Sequence, residues 1–194
     1  MKRFLSWPLL FALSPFFLFS HEAAARDRNR PFVIESEFFT IQGYPGLDVR
    51  LVLEKTDFNY FLHLDTLPLT VERDPAQLLA RTVDALYLEI SDILGISAYS
   101  FRGTLAILPD QAAVSAVFRR EFGRDYPERA FYLHSKKTIY VSFHDLTVGM
   151  LGHEIAHAII SHYFVIPPPA KIQEVLSGYV EYTPVSYTHL RAHE

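Results

Sequence analysis

Gly152-His153-Glu154-Ile155-Ala156-His157 constrains the fold more tightly than any other stretch of the chain. Two histidines four residues apart return to within about 40° of each other on an α-helix, so both imidazoles project from one face. That spacing lets them reach a single metal ion. Glu154 stands one step round the helix, close enough to work on a water at such an ion. The arrangement needs a helix that is buried on one side and open on the other. Leu151, Ile155, Ala158 and Ile159 supply the buried side at helical spacing. Thr147 can cap the start. Val165-Ile166-Pro167-Pro168-Pro169 stops the helix near Phe164 and makes a stiff connection. Gly149 and Gly152 cost roughly 1 kcal/mol each relative to alanine, so a helix that keeps both has something packed closely against it.

His-Glu-x-x-His on a helix is the zinc-binding pattern of metallopeptidases, with the glutamate as general base. The chain has no cysteine. Thiolate zinc ligands, disulfides, a thiol nucleophile and a lipid-anchored N-terminal Cys are therefore excluded, and a histidine/carboxylate site remains. Catalytic zinc takes three protein ligands and keeps one position open. A metzincin arrangement needs Gly at 160 and His at 163, where this chain has Ile160 and Tyr163. His162 is nine residues after His153, about 180° round the helix and on the wrong face. The remaining route is a carboxylate from the next helix, expected from Ala170 to about Tyr182 with Pro184 beyond. Glu174 lies early on that helix, and Glu181 lies two turns later on the same face. Spacing alone does not separate them well.

Upstream, Phe32–Ile34, Phe38–Ile41 and Val49–Leu53 read as strands, with Tyr60–Leu64 as a fourth candidate. His63 sits within that last alternation and is expected to pack rather than to ligate. Asp74-Pro75 begins a helix whose face is Leu79, Val83, Leu86, Ile90 and Leu94, with Gly95 as its cap. Thr104–Leu108 is a short buried strand, and Asp110 caps a helix that ends near Gly123. Ala130–His134 and Thr138–Phe143 flank Ser135-Lys136-Lys137 and read as a β-hairpin. If the strand just before the metal helix lies on a sheet edge, its free backbone groups can hold an extended peptide; the opposing reading is an interior strand. His134 and His144 fall at strand ends or turns and are not taken as ligands.

The ends of the chain carry a different kind of signal. Lys2-Arg3, the apolar run Phe4–Phe19 and Ala23-Ala24-Ala25 have the layout of a secretory signal peptide cleaved after Ala25. Export to a bacterial periplasm or beyond is expected, with no stable membrane span after cleavage. The opposing reading is an uncleaved anchor, favoured by Arg26, Arg28 and Arg30 and disfavoured by Pro8 and Pro15 within the run. Residues 185–194 resemble a translated sequencing adapter and are read as non-native, so His189 and His193 carry no weight. A net charge of −4 gives no support to nucleic-acid binding.

Residues 76–184 resemble the gluzincins, the His-His-Glu zinc peptidases, and more closely the bacterial peptidase-MA-like domains. The residues that carry this are the helix Leu79–Gly95, the strand Thr104–Leu108, the helix from Asp110 and the strand Ile139-Tyr140-Val141. His153-Glu154-Ile155-Ala156-His157 and Glu174-Val175-Leu176-Ser177-Gly178-Tyr179 follow. The resemblance implies Zn²⁺ held by His153, His157 and Glu174, Glu154 as general base, and a peptide or protein substrate. Gln173 and Val175-Leu176-Ser177 depart from the family's usual neighbours of the third ligand. Gly178 stands where a thermolysin-like carboxylate would support a zinc histidine, so that support must come from elsewhere. The implied fold is a zincin-like α+β domain at 75–184, after an N-terminal β segment at 26–74. Its small mixed sheet carries helices on one side, the metal helix being followed by the glutamate-bearing helix. An exported domain that holds zinc or binds peptides without cleaving them is the alternative reading.

Overall fold

The computed structural model describes residues 30–56 and 74–191. Five strands form one mixed sheet in the order β1-β2-β3-β5-β4. They are β1 (Val33–Glu35), β2 (Phe39–Gly43), β3 (Gly103–Leu108), β4 (Ala130–Leu133) and β5 (Thr138–Ser142). β2, β3 and β5 run parallel; β1 and β4 lie antiparallel on the two edges. The helices among the described residues are α1 (Val49–Lys55), α2 (Pro75–Leu94), α3 (Gln111–Phe122), α4 (Val148–Tyr163) and α5 (Ala170–Arg191). Asp48, Asp74, Asp110 and Thr147 cap the first four, each accepting a backbone N–H of the first turn.

Successive side chains of a strand point to opposite faces, and here both faces of the sheet are used. Phe39, Ile41, Leu105, Ile107, Ile139 and Val141 form one core with α2 and α4. Leu79, Val83, Leu86, Tyr87 and Ile90 enter it from α2, and Leu151, Ile155 and Ile159 from α4, all fully buried. The alternate residues Leu108, Phe131, Leu133 and Tyr140 pack under Val114 and Phe118 of α3 as a second cluster. The expectation of helices on one side is thus corrected, since α3 covers the reverse face. The hairpin is apolar on both of its faces, and both need cover.

Two further expectations change. Val49–Leu53 is helical, not a strand. Asp48 accepts the N–H of Arg50, and Val49, Val52, Leu53 and Thr56 repeat at helical spacing with Val52 buried. Local capping and a 3–4 residue period outweigh the β-branched composition. The last helix also runs past Tyr182 and Pro184 to Arg191. One proline removes a single backbone bond, which kinks a helix without obliging it to end. The segments divided at residue 74 share one sheet, because β2 pairs with β3. Phe4–Ala25 and Tyr60–Leu64 lie outside the described residues.

α4 lies between the sheet and α5, and its two glycines stand at ordinary contact distance from their neighbours. A Cβ on Gly152 would lie 3.6 Å from Ile90 and 3.7 Å from Val180, and one on Gly149 would lie 3.4 Å from Glu181 Cγ. At the far side Asp84 of α2 ties down the β1–β2 turn. It accepts from Ser36 Oγ at 2.7 Å, the Glu37 N–H at 2.8 Å and the Phe38 N–H at 3.0 Å. Asp84→Ala strands two backbone donors and is expected to destabilise the protein by about 1–3 kcal/mol in urea unfolding. Asp84→Asn, which keeps an acceptor oxygen, should lose less.

A candidate metal centre

The site begins with two helices laid antiparallel. Ser161, His157 and His153 of α4 meet Gln173, Glu174 and Glu181 of α5 in reversed order. The proline-stiffened link after Phe164 turns the chain back, and the apolar side of α4 is committed to the sheet. Its opposite side therefore presents both histidines to α5.

His153 Nε2 and His157 Nε2 lie 3.2 Å apart. Glu174 closes the triangle, with Oε2 3.4 Å from His153 Nε2 and Oε1 3.5 Å from His157 Nε2. One atom from each of the three residues falls within a 4.8 Å group, so together they could hold a metal ion. Two imidazoles and a carboxylate fit zinc chemically, since this borderline-soft ion accepts nitrogen and oxygen donors. The histidines are largely buried while the Glu174 side chain is 62% exposed, so the group opens to solvent on the α5 side.

Glu154 sits beneath β4, 8% exposed, and hydrogen-bonds the backbone of Tyr132. Burial pushes its carboxyl up to about 8, and the negative charges of Glu128 and Glu174 add to the rise. Burial and the neighbouring His153 hold the His157 imidazole below its ordinary value. Glu128, just ahead of β4, is raised by burial and by Glu174. These groups line a cleft of about 400 Å³ that includes Tyr132, His134, His153, Glu154, His157 and Glu174. A second cavity of about 360 Å³ lies on the other side of His153, toward Met150 and Glu181, and shares Glu128, Ala130, His153 and Glu154 with the first.

His153, Glu154, His157 and Glu174 thus come together. Glu181 does not join the three converging atoms; it meets the other ring nitrogen of His153, with Oε2 3.2 Å from Nδ1. His162 contacts Ser100 and the ring of Phe101, away from the cleft. His134 lines the cleft at the end of β4. His144 contributes main-chain bonds, its N–H to Pro109 O and its carbonyl to Lys55 Nζ. Two participants went unread in the sequence. Gln173 stands 3.4 Å from His157 Nδ1 through Oε1, and could have been found as the residue beside Glu174. Glu128 has no local signal, because only the fold brings it to the cleft. No protein family, curated protein or solved structure significantly matches the chain.

The metal-free protein should show a pH dependence of stability that traces to Glu154. Its folded value of about 8 lies above the ordinary 4.5. The associated stability is fully present below about 4.5 and is lost as pH rises through about 8. With a chelator present, the gap in unfolding free energy between wild type and Glu154→Gln is expected to move against wild type across that window. Parallel curves would contradict the assignment.

Proposed function

We propose that this chain is a zinc-dependent peptidase acting in an exported bacterial protein, with His153, His157 and Glu174 as metal ligands and Glu154 as general base. The single observation behind it is the convergence of those three donors beside the one buried glutamate of the cleft. A cluster of imidazoles and carboxylate alone would suit storage or structure. A carboxyl beside it with a displaced proton affinity suits proton transfer.

Zinc, when bound, supplies Lewis acidity that acidifies a water molecule and polarises the scissile carbonyl. The rest falls to the chain. Glu154 takes a proton from the water and later gives it to the leaving amine. Burial and the neighbouring carboxylates favour its protonated form, so a proton taken from the water can be held until the leaving amine accepts it. The hydrogen bond from the Tyr132 backbone fixes where its oxygens lie. Burial under β4 keeps competing water from the carboxyl.

The sheet edge supports a peptide as substrate. β4 has no strand on its outer side among the described residues. An edge strand offers backbone donors and acceptors to an extended peptide. The two cavities lie on either side of His153 and share Ala130 of that strand. A peptide laid along β4 would thus have room both before and after the bond being cut.

Glu154→Gln is expected to bind one zinc per chain and to lose hydrolysis by about 10²–10⁴-fold, the usual size of a general-base contribution. Glu174→Ala should lose bound zinc as well as activity. Metal content by mass spectrometry and cleavage of end-blocked fluorogenic peptides, with a chelator control, read the two separately. Full activity of Glu154→Gln would remove its role, and zinc-free wild-type protein would remove the reading as a whole.

A further inference from the structure

We propose that Glu181 and Gln173 are positioning residues that keep His153 and His157 in the tautomer with the proton on Nδ1, so that both Nε2 lone pairs point toward Glu174 before any metal arrives. The inference rests on the metal-centre reading above. It concerns the opposite side of each ring, where the sequence offered no partner.

Hydrogen-bond capacity carries the argument. Glu181 Oε2 lies 3.2 Å from His153 Nδ1. A carboxylate only accepts, and Glu181 is the nearer of the two that face the ring, Glu174 Oε2 standing 3.4 Å from Nε2, so a neutral ring places its single proton on Nδ1. At His157 the partner is an amide, whose two ends differ. Gln173 Nε2 donates to the Pro168 carbonyl at 2.8 Å. That carbonyl cannot donate, so the amide orientation is fixed and Oε1 is the atom turned to His157 Nδ1 at 3.4 Å. Ser161 Oγ donates to the same oxygen at 3.3 Å. His157 Nδ1 is therefore also a donor. A neutral imidazole with its proton on Nδ1 has only a lone pair on Nε2.

The consequence is a pocket of acceptors. The two Nε2 atoms, 3.2 Å apart, hold no proton between them, and the Glu174 oxygens stand 3.4 and 3.5 Å away. Such a group is mutually repulsive until a cation enters, and the outer hydrogen bonds hold it in place. The helix pair is built to deliver them. Glu174 and Glu181 are seven residues apart, so one face of α5 supplies a ligand and, two turns on, a support. Gly149 faces the Glu181 stem, where a Cβ would come within 3.4 Å of its Cγ. Support from Glu181 thus fills the role that Gly178 leaves vacant.

The test uses the whole chain. Long-range ¹H–¹⁵N spectra of the metal-free protein read each ring's tautomer directly. Zn²⁺ affinity is measured by competition with a chromophoric chelator, and Co²⁺ absorption reports the ligand set. Wild type should show Nδ1–H at both rings. Glu181→Ala should weaken Zn²⁺ roughly 10–100-fold, mix the His153 tautomers and leave the Co²⁺ spectrum unchanged. Glu181→Gln, whose amide oxygen still accepts, should recover most of the affinity. An Nε2–H tautomer at His153 in wild type overturns the proposal without any variant. So does Glu181→Ala with wild-type affinity and tautomer, or with an altered Co²⁺ spectrum, which would make Glu181 a ligand. Wild-type protein that binds no Zn²⁺ defeats the metal centre instead, and the ring spectra still decide the tautomers.

Discussion

The close approach of α5 to α4 is the contact on which the site depends. Gly149 and Gly152 face this contact, and Glu181 and Val180 stand at ordinary contact distance, 3.4 and 3.7 Å, from where a Cβ would lie. Helix stability is given up at both positions, by roughly 1 kcal/mol each. One helix carries the two imidazoles, and its neighbour brings Glu174 to both of them. The same approach buries Val180 against the main core. Packing and the convergence of the three donor side chains are therefore one event, and a change that loosens the helix pair moves those donors with it.

Electrostatics adds a second constraint. Glu128, Glu154 and Glu181 all face the cleft or its neighbouring cavity, and Glu174 stands among them. Lys and Arg side chains are nearly missing from the lining; Arg129 is the single one, in the second cavity. Burial raises Glu154, and the negative charges of Glu128, Glu174 and Glu181 add to the rise. A dication among them would oppose the same rise, so the chemistry assigned to Glu154 and the occupancy of the centre are linked.

Much of this was legible in the residues, and the limits have physical causes. The metal helix and α2 were readable because capping, periodicity and apolar faces agree over many turns, as Thr147 with Leu151–Ile159 and Asp74 with Leu79–Leu94 do. The convergence of His153, His157 and Glu174 followed from spacing plus a family resemblance. Val49–Leu53 reads as a strand because so short a segment shows little more than its β-branched and aliphatic composition, while the cap and buried face that make Val49–Lys55 helical emerge in the fold. The placement of α3 is a tertiary matter: its own face says that it packs, and not against which side. Glu181 looked like a second-choice ligand because the sequence gives a helix face and cannot say which ring nitrogen that face meets.

β4 illustrates a conflict between use and solubility. A strand with no partner on its outer side among the described residues is a template on which another copy of the chain can pair, whether or not it also receives the proposed peptide. This one is kept short, at four residues, and is closed at its far end by a tight turn through Lys137 in the left-handed region. Charged residues flank it on both sides, Glu128-Arg129 before and Lys136-Lys137 after. One backbone group of the strand is already engaged by Glu154. The exposed edge is therefore too brief and too charged at its ends to seed a stack of strands.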